Sequence, residues 1–291
     1  MGNLRSVRFV QFRAIALAFC LALAPFFPVA ASDSLPEESA KLESDWGLER
    51  KLSSTETELQ FRVDNVVKLT QKEREVSFKS STVFYDDFVF DFVGDNGEIV
   101  VYSIAEKKFE LIDPLRRVRT ELDLEEVDRF LSRVRPLLLD KGDKFANFML
   151  DPSFETSQKE DEFFFQSKYV DYRVAAPRVE NERAAEVYFQ FAEALGKLNV
   201  YMNPGTVTPL ARIEVNRKLA EKSRFPEKIV TDVYPNGKSI FTKTIHISSE
   251  STLARRLSER DRNRINRTVH FFAQFPLVNF QSYFEKTSER R

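Results

Sequence analysis

Residues 78–122 constrain the fold more than any other stretch, because short apolar segments there alternate with polar residues at the period of β-strands. Phe88, Phe90 and Phe92 share one face of a predicted strand. Asn96 and Gly97 follow it, and Asn-Gly readily adopts the positive φ angles of a tight hairpin turn. Further strands are predicted at residues 98–104, 109–112 and 117–122. The stretch therefore predicts a β-meander of successive antiparallel strands.

A helix is predicted directly after the meander. Asp123 stands where it can cap this helix, and Glu126 stands three residues later, where it can reach back to the cap N–H group. Leu122 and Val127 occupy the two positions of a hydrophobic staple. Because Phe130 and its neighbour Leu131 continue the apolar stripe at helical spacing, we expect both to be buried against the meander.

The rest of the chain predicts more elements of both kinds. Strands are expected at residues 59–69, 162–166, 169–174, 229–233 and 240–247, and helices at residues 181–198, from Thr208 and from Ser258. Roughly ten strands and four helices, mostly joined by short turns, indicate an α+β fold. We expect one large curved antiparallel sheet with the helices packed on one face. Since no linker divides residues 55–291, they are interpreted as a single domain.

Two helices have recognisable starts. Thr208 precedes Pro209, which is typical of a capping residue followed by proline in the first turn. The inner face of that helix is predicted to carry Leu210, Ile213 and Leu219. Ser258 and Asp261 have the spacing of a capping box at the start of the last predicted helix.

Residues 1–31 resemble a secretory signal peptide. They combine a basic start without acids, an apolar core at 14–23, and small residues before a cut between Ala31 and Ser32. Two prolines interrupt the uncharged run, so a membrane anchor is the less favoured interpretation. Residues 32–54 are polar and acid-rich and predict a mobile leader. We therefore expect an exported protein, periplasmic or extracellular, without a transmembrane anchor in its mature form.

The predicted cut also changes the chemistry of the mature chain. It removes the single cysteine and three arginines, so the formal net charge of −1 becomes about −4. A cysteine-free mature chain excludes thiol catalysis and disulfides. The basic run at 255–267 has interleaved acids, which favours a solvated helix face over a nucleic-acid site.

The sequence predicts no catalytic residue, no metal site and no cofactor. His246 and His270 fall on different predicted elements, and none of the familiar catalytic or phosphate-binding motifs is present. Asp87 and Asp91 share one strand face, but four residues of strand span roughly 13 Å, more than the ~5–10 Å of a glycosidase pair. We expect both on a solvated face, and we favour a non-enzymatic protein.

The 28 phenylalanines are the compositional anomaly. They fit either a filled aromatic core or an apolar groove between a curved sheet and its helices, open to a lipid-like ligand. The predicted lining of such a groove is Phe88, Phe90, Phe92 and Phe130.

The meander and the export signal together are similar to a known family. Residues 97–113 (GEIVVYSIAEKKFELID) resemble the glycine, strand, tyrosine, turn, strand rhythm of LolA-like, periplasmic lipoprotein-carrier half-barrels found in exported bacterial proteins. The resemblance spans residues 59–122 and implies an incomplete barrel over helices, with an apolar hollow that holds acyl chains. It assigns no functional residue to this chain, and the helices from Asn181 onward depart from the compact carrier.

Three functions follow from these observations. The first is an exported, non-enzymatic protein that binds an apolar or lipid-like ligand in a groove between sheet and helices. The second is an envelope interaction or scaffold protein with a filled core and a protein partner. The third is a hydrolase whose carboxylates come together from separate strands.

Overall fold

The computed structural model describes residues 59–71, 74–93, 97–140, 143–203, 208–239 and 244–288. The predicted signal peptide with its cut between Ala31 and Ser32, the predicted leader at 32–54, and Asn96 of the predicted hairpin turn lie outside the described residues.

Eleven strands of the described chain form one antiparallel sheet. They are β1 (Gln60–Gln71), β2 (Arg74–Tyr85), β3 (Phe88–Val93), β4 (Ile99–Ser103), β5 (Lys108–Asp113), β6 (Val118–Asp123), β7 (Glu155–Lys159), β8 (Glu162–Gln166), β9 (Val170–Ala175), β10 (Lys228–Val233) and β11 (Ile245–Ala254). Their order is β6-β5-β4-β3-β2-β1-β11-β10-β9-β8-β7. The sheet thus consists of two meanders that join where β11 pairs with β1.

The described residues also form six helices. They are α1 (Leu124–Asp140), α2 (Lys144–Leu150), α3 (Glu182–Met202), α4 (Leu210–Ala220), α5 (Glu259–Gln274) and α6 (Phe280–Ser288). None of these helices is long and apolar enough to cross a membrane. The predicted fold class, α+β with a large curved antiparallel sheet, is confirmed.

The two faces of the sheet carry separate hydrophobic cores. The larger core lies on the front face, defined here as the face covered by α1–α4 and α6. The smaller core lies on the opposite, back face, where α5 packs on Phe88, Phe90 and Phe92. The structure differs here from the expectation that the helices share one face. The reason is that β2–β4 bury apolar side chains at both parities, so both faces need a cover.

The start of α1 corrects one prediction and confirms another. Among the described residues, no main-chain N–H group donates to the Asp123 side chain, whose Oδ1 lies 3.8 Å from Lys108 Nζ. Glu126 instead accepts a 2.7 Å hydrogen bond from the Tyr201 hydroxyl, so it is engaged with α3. The predicted cap is therefore wrong. Leu122 and Val127, the predicted staple, are both buried in the front core.

Phe130 is less buried than the sequence predicts. Its ring is half-buried and packs edge-on against Tyr201, with 5.1 Å between ring centroids. Phe84 on β2 has no exposed surface and stacks on Phe61 at 4.2 Å. Phe130 therefore fastens α1 to α3 at the margin of the core, whereas Phe84 lies at its centre.

We predict that Phe84→Ala lowers the free energy of unfolding by about 3–5 kcal/mol, from lost burial and the cavity left behind. Phe130→Ala should lower it by only about 1–2 kcal/mol, because its ring is only partly buried in the folded protein. Urea denaturation of both variants measures the difference. Equal losses would contradict the marginal position of Phe130.

Candidate functional site

The four residues predicted to line a groove do not come together. Phe88, Phe90 and Phe92 are buried on the back face, where the rings of Phe90 and Phe92 lie 6.4 Å apart and α5 covers them. Phe130 lies against Tyr201 on the front side. Strand alternation explains the separation, because α1 crosses the face opposite to the three phenylalanines.

A surface cleft lies at the end of β3 and β4 beneath α5. Its volume is about 530 Å³, including space open to solvent, and Phe92, Ile99, Phe271, Arg264 and Arg267 are among its lining residues. The Arg264 guanidinium lies 3.8 Å above the Phe92 ring in a cation–π contact. Arg264 therefore serves in holding α5 to the sheet.

An aromatic cluster reaches the surface on the front side. We use the term aromatic rim for Phe148, Phe154 and Tyr169, which are all half-buried. Phe148 contacts Phe154 at 5.6 Å and Tyr169 at 5.5 Å between ring centroids. Phe154 in turn contacts the buried ring of Tyr172 at 5.8 Å. The aromatic rim thus connects the surface beside α2 with the interior of the front face.

The orientation of α4 differs from the prediction and brings polar groups inside. Pro209 precedes the helix without a side-chain cap, and the Thr208 hydroxyl donates to the Met149 carbonyl oxygen at 2.6 Å. Thr208 therefore ties α4 to α2 and does not cap it. The buried residues of the helix are Ala211, Arg212, Val215, Asn216 and Leu219. Arg212 and Asn216, one turn apart, consequently face the core.

Arg212 is a buried cation. It is 9% exposed, and its Nε has no hydrogen-bond partner among the described residues. Burial lowers the pKa of Arg212, and the neighbouring ionisable groups are the phenols of Tyr172 and Tyr188. In the described part of the chain, no carboxylate oxygen lies within 4 Å of its guanidinium.

The groups around Arg212 come from three parts of the front face. Tyr188 on α3 hydrogen-bonds Ser251 on β11, and burial raises the pKa of its phenol. The Ser251 hydroxyl donates to Asn65 Oδ1 on β1 at 2.7 Å. The Oδ1 atom of Asn216 is buried without a partner among the described residues. We call Arg212, Asn216, Tyr172 and Tyr188 the buried polar cluster.

Sequence reasoning missed this cluster. The sequence predicts Leu210, Ile213 and Leu219 as the inner face of the helix from Thr208, and this face leaves Arg212 at the surface. A signal was present, since apolar residues at 211, 215 and 219 form an equally regular stripe, and Arg212 and Asn216 flank it.

Two acids from separate strands do converge. Glu110 on β5 and Glu121 on β6 face each other across the strands, and Arg119 Nη1 donates to Glu110 at 2.9 Å. Burial raises the pKa of Glu110 to about 8. Glu110 has no exposed surface, and Arg119 Nε also binds the Phe275 carbonyl oxygen. Because a substrate does not reach an enclosed acid, this group is interpreted as an ion network that anchors residue 275.

Asp91 is buried, which corrects its predicted place on a solvated face. It is 2% exposed and accepts a 2.7 Å hydrogen bond from the Thr82 hydroxyl. Burial raises the pKa of Asp91 to about 6. Val89 and Val100 lie beside Asp91 in the front core. Strand alternation predicts which side chains share a face with Asp91, but it does not predict that this face is buried.

The histidines stand on different elements, as their sequence positions suggested. His246 Nδ1 lies 2.7 Å from Asp232 Oδ1 at the surface, and His270 is exposed on α5. Among the described residues, no group of three or more His, Cys, Asp or Glu side chains is arranged to hold a metal ion.

Comparisons with known proteins assign no family to this chain. No known protein family matches the sequence, and no curated protein matches it. The crystal structure of a LolA superfamily protein from Nitrosomonas europaea is similar over 73% of this chain and 93% of that one, with 7% sequence identity and a TM-score of 0.28. A similarity of this size transfers no ligand, partner or residue role to this chain.

We predict that Asp91 makes stability depend on pH. Its pKa is higher in the folded state than the usual 3.8, so protonated Asp91 favours folding at low pH. That contribution, about 3 kcal/mol, should be lost as the pH rises from about 4 to above 6. Asp91→Asn should remove this part of the pH dependence in urea melts between pH 4 and 7.

The control is Glu125→Gln, because the Glu125 side chain is 82% exposed and pairs with Arg129 at the surface. It should leave the pH profile of wild type unchanged. If Asp91→Asn also left the profile unchanged, Asp91 would titrate alike in the folded and unfolded chains.

Proposed function

We propose that the protein is an exported, non-enzymatic binder of an apolar or lipid-like ligand. The ligand lies on the front face, between the sheet and α2–α4, and reaches this space through the aromatic rim. Export is supported by the signal-peptide pattern of residues 1–31. The predicted groove of Phe88, Phe90, Phe92 and Phe130 is replaced in this proposal by residues of the front side.

The observation that supports binding best is the aromatic path into the front face. Phe148, Phe154 and Tyr169 are half-exposed, and their ring contacts continue to the buried Tyr172. Ligand sites are typically lined by apolar and aromatic side chains with a small number of placed polar groups. The aromatic rim together with the buried polar cluster has that composition.

The unpaired polar atoms support the same proposal. Buried groups without hydrogen bonds cost about 1–3 kcal/mol each, so native proteins rarely keep them without a reason. Three of the nine such atoms in the described residues, on Asn199, Arg212 and Asn216, lie on α3 and α4, which pack together. A bound ligand with polar atoms would satisfy groups that a dry apolar core leaves unsatisfied.

A second candidate is an envelope interaction or scaffold protein with a filled core. The centre of the front core favours it, because Phe84 packs against both Phe61 and Phe191, at 4.2 and 5.9 Å between ring centroids. Edge strand β7 is exposed at every residue, and an exposed edge is a place where a partner strand can pair.

The test is uptake of a fluorescent long-chain fatty acid by protein refolded after denaturing extraction of its lipids. Wild type should bind the probe. The double variant Phe148→Ala/Phe154→Ala should bind it about tenfold more weakly, because two rings that shield the ligand chain are lost. The matched control is Phe271→Ala, which removes a half-buried ring on the back face and should not change uptake.

Two results separate the candidates. Equal uptake by the double variant and wild type would place the ligand elsewhere on the molecule. If wild type takes up no probe, and crosslinking in the native envelope recovers a recurrent protein partner, the scaffold function replaces the binding function.

A further inference from the structure

Arg212 differs from the other enclosed arginines of the described chain. Arg119 has Glu110 at 2.9 Å, and Arg116 has Asp113 at 2.6 Å. Arg212 has no carboxylate within salt-bridge distance among the described residues, although it is only 9% exposed. A guanidinium does not lose its proton in proteins, so the charge itself is buried. Such a charge is retained at a high desolvation cost unless an anion compensates it.

The surroundings of Arg212 suit a small anionic group. The phenols of Tyr172 and Tyr188 lie near the guanidinium, and the hydrogen bond between Tyr188 and Ser251 fixes the position of the Tyr188 ring. Asn216 follows one helical turn later with a buried side-chain oxygen that lacks a partner among the described residues. Rotation of that amide would present its NH₂ group to an anion. A forked guanidinium with these neighbours matches a carboxylate or phosphate.

The approach to Arg212 is apolar. Tyr172 belongs to the buried polar cluster and also contacts Phe154 of the aromatic rim, at 5.8 Å between ring centroids. A ligand that spans both regions needs an apolar chain at one end and a negative charge at the other. A neutral hydrocarbon would leave the buried charge uncompensated.

We propose that Arg212 binds the anionic head group, a carboxylate or a phosphate, of a single-chain amphipathic ligand whose apolar chain lies along the aromatic rim. This inference rests on the proposed function and specifies its ligand class. The rings of Tyr172 and Tyr188 border the head group, and the side-chain amide of Asn216 donates a hydrogen bond to it after rotation. No bond is made or broken.

The test compares ligands that share one chain length and differ in the head group. Hexadecanoic acid, lysophosphatidic acid with the same chain, and hexadecanol compete with the fluorescent fatty acid at pH 8, below their aggregation concentrations. Wild type should bind at least one anionic ligand about tenfold to a hundredfold more tightly than the alcohol. The stronger of the two anionic ligands distinguishes a carboxylate head group from a phosphate.

Substitution of Arg212 should remove the preference for charge and keep the affinity for the chain. Arg212→Met should bind hexadecanol as wild type does and lose most of the added affinity for the anions. Arg212→Lys keeps the positive charge but lacks the paired N–H donors of the guanidinium, so it should retain part of the preference for the anionic ligands over the alcohol. Both are used with the full mature chain.

Thermal stability distinguishes a ligand-binding role of Arg212 from a structural role. Ligand-free Arg212→Met should have an unchanged or higher Tm, because an uncompensated buried charge is removed. Arg119→Met is the matched control, and its Tm should fall, because Glu110 is left buried without its cation.

Each contrary result has its own meaning. If wild type binds acid and alcohol equally, the head-group inference is wrong while the proposed binding function stands. If Arg212→Met loses stability as Arg119→Met does, Arg212 has a structural role and the inference is also overturned. If wild type binds none of the three ligands, the inference and the proposed function both fail.

Discussion

The pairing of β11 with β1 is the constraint on which the rest of the structure depends. It runs from Arg62 opposite Ala254 to Thr70 opposite His246, and it joins the first meander to the strands that follow the central helices. Without it the sheet would be two separate meanders, each with an additional open edge. The pairing also places Ser251 beside Asn65 on the front face, directly beneath the hydroxyl of Tyr188. This long-range strand pairing thus makes the sheet continuous and places Ser251 and Asn65 next to the candidate site.

The two faces of this sheet differ in the partners of their buried charged groups. The back face is apolar where α5 crosses it, and ion networks at its margins hold the helix, with Arg62 bound to Asp261 at one end and Arg119 bound to Glu110 near the other. The front face has the larger core and also holds buried polar groups that the fold does not fully satisfy. The back face also has buried oxygen atoms without a partner among the described residues, on Glu110 and Glu121, so the front face is distinguished by Arg212, which has no carboxylate partner in the described chain.

The sequence predicted correctly those elements that are determined by residues close together in the chain. The alternation of Leu59, Phe61 and Val63 marked β1 correctly, and Ser258 with Asp261 forms the capping box that starts α5. Strand β11 runs to Ala254, beyond its predicted end, because its polar residues after Ile247 are held by pairing with β1 and β10. Strand β7, a polar edge strand, escaped prediction for a similar reason: its sequence has no apolar alternation, and β8 holds it in place.

The candidate site depended on information that a single sequence does not contain. Whether Arg212 or Leu210 faces the core is decided by the rotation of α4 against α3, where a side chain at Gly196 would approach Pro209 to 3.2 Å. The burial of Asp91 and the partial exposure of Phe130 likewise reflect which helix covers which face. Sequence periodicity indicates on which face of its own helix or strand a residue lies, whereas tertiary packing determines whether that face is buried and against which element.

The most direct test of the account is a crystal structure of the protein with a fatty acid that carries bromine at the end of its chain. Anomalous scattering would locate the bromine, and the electron density would locate the carboxylate. We expect the carboxylate beside Arg212 and the bromine near Phe148 and Phe154. A chain bound under α5 on the back face, or a front face that stays closed while the fatty acid binds at the surface, would contradict it.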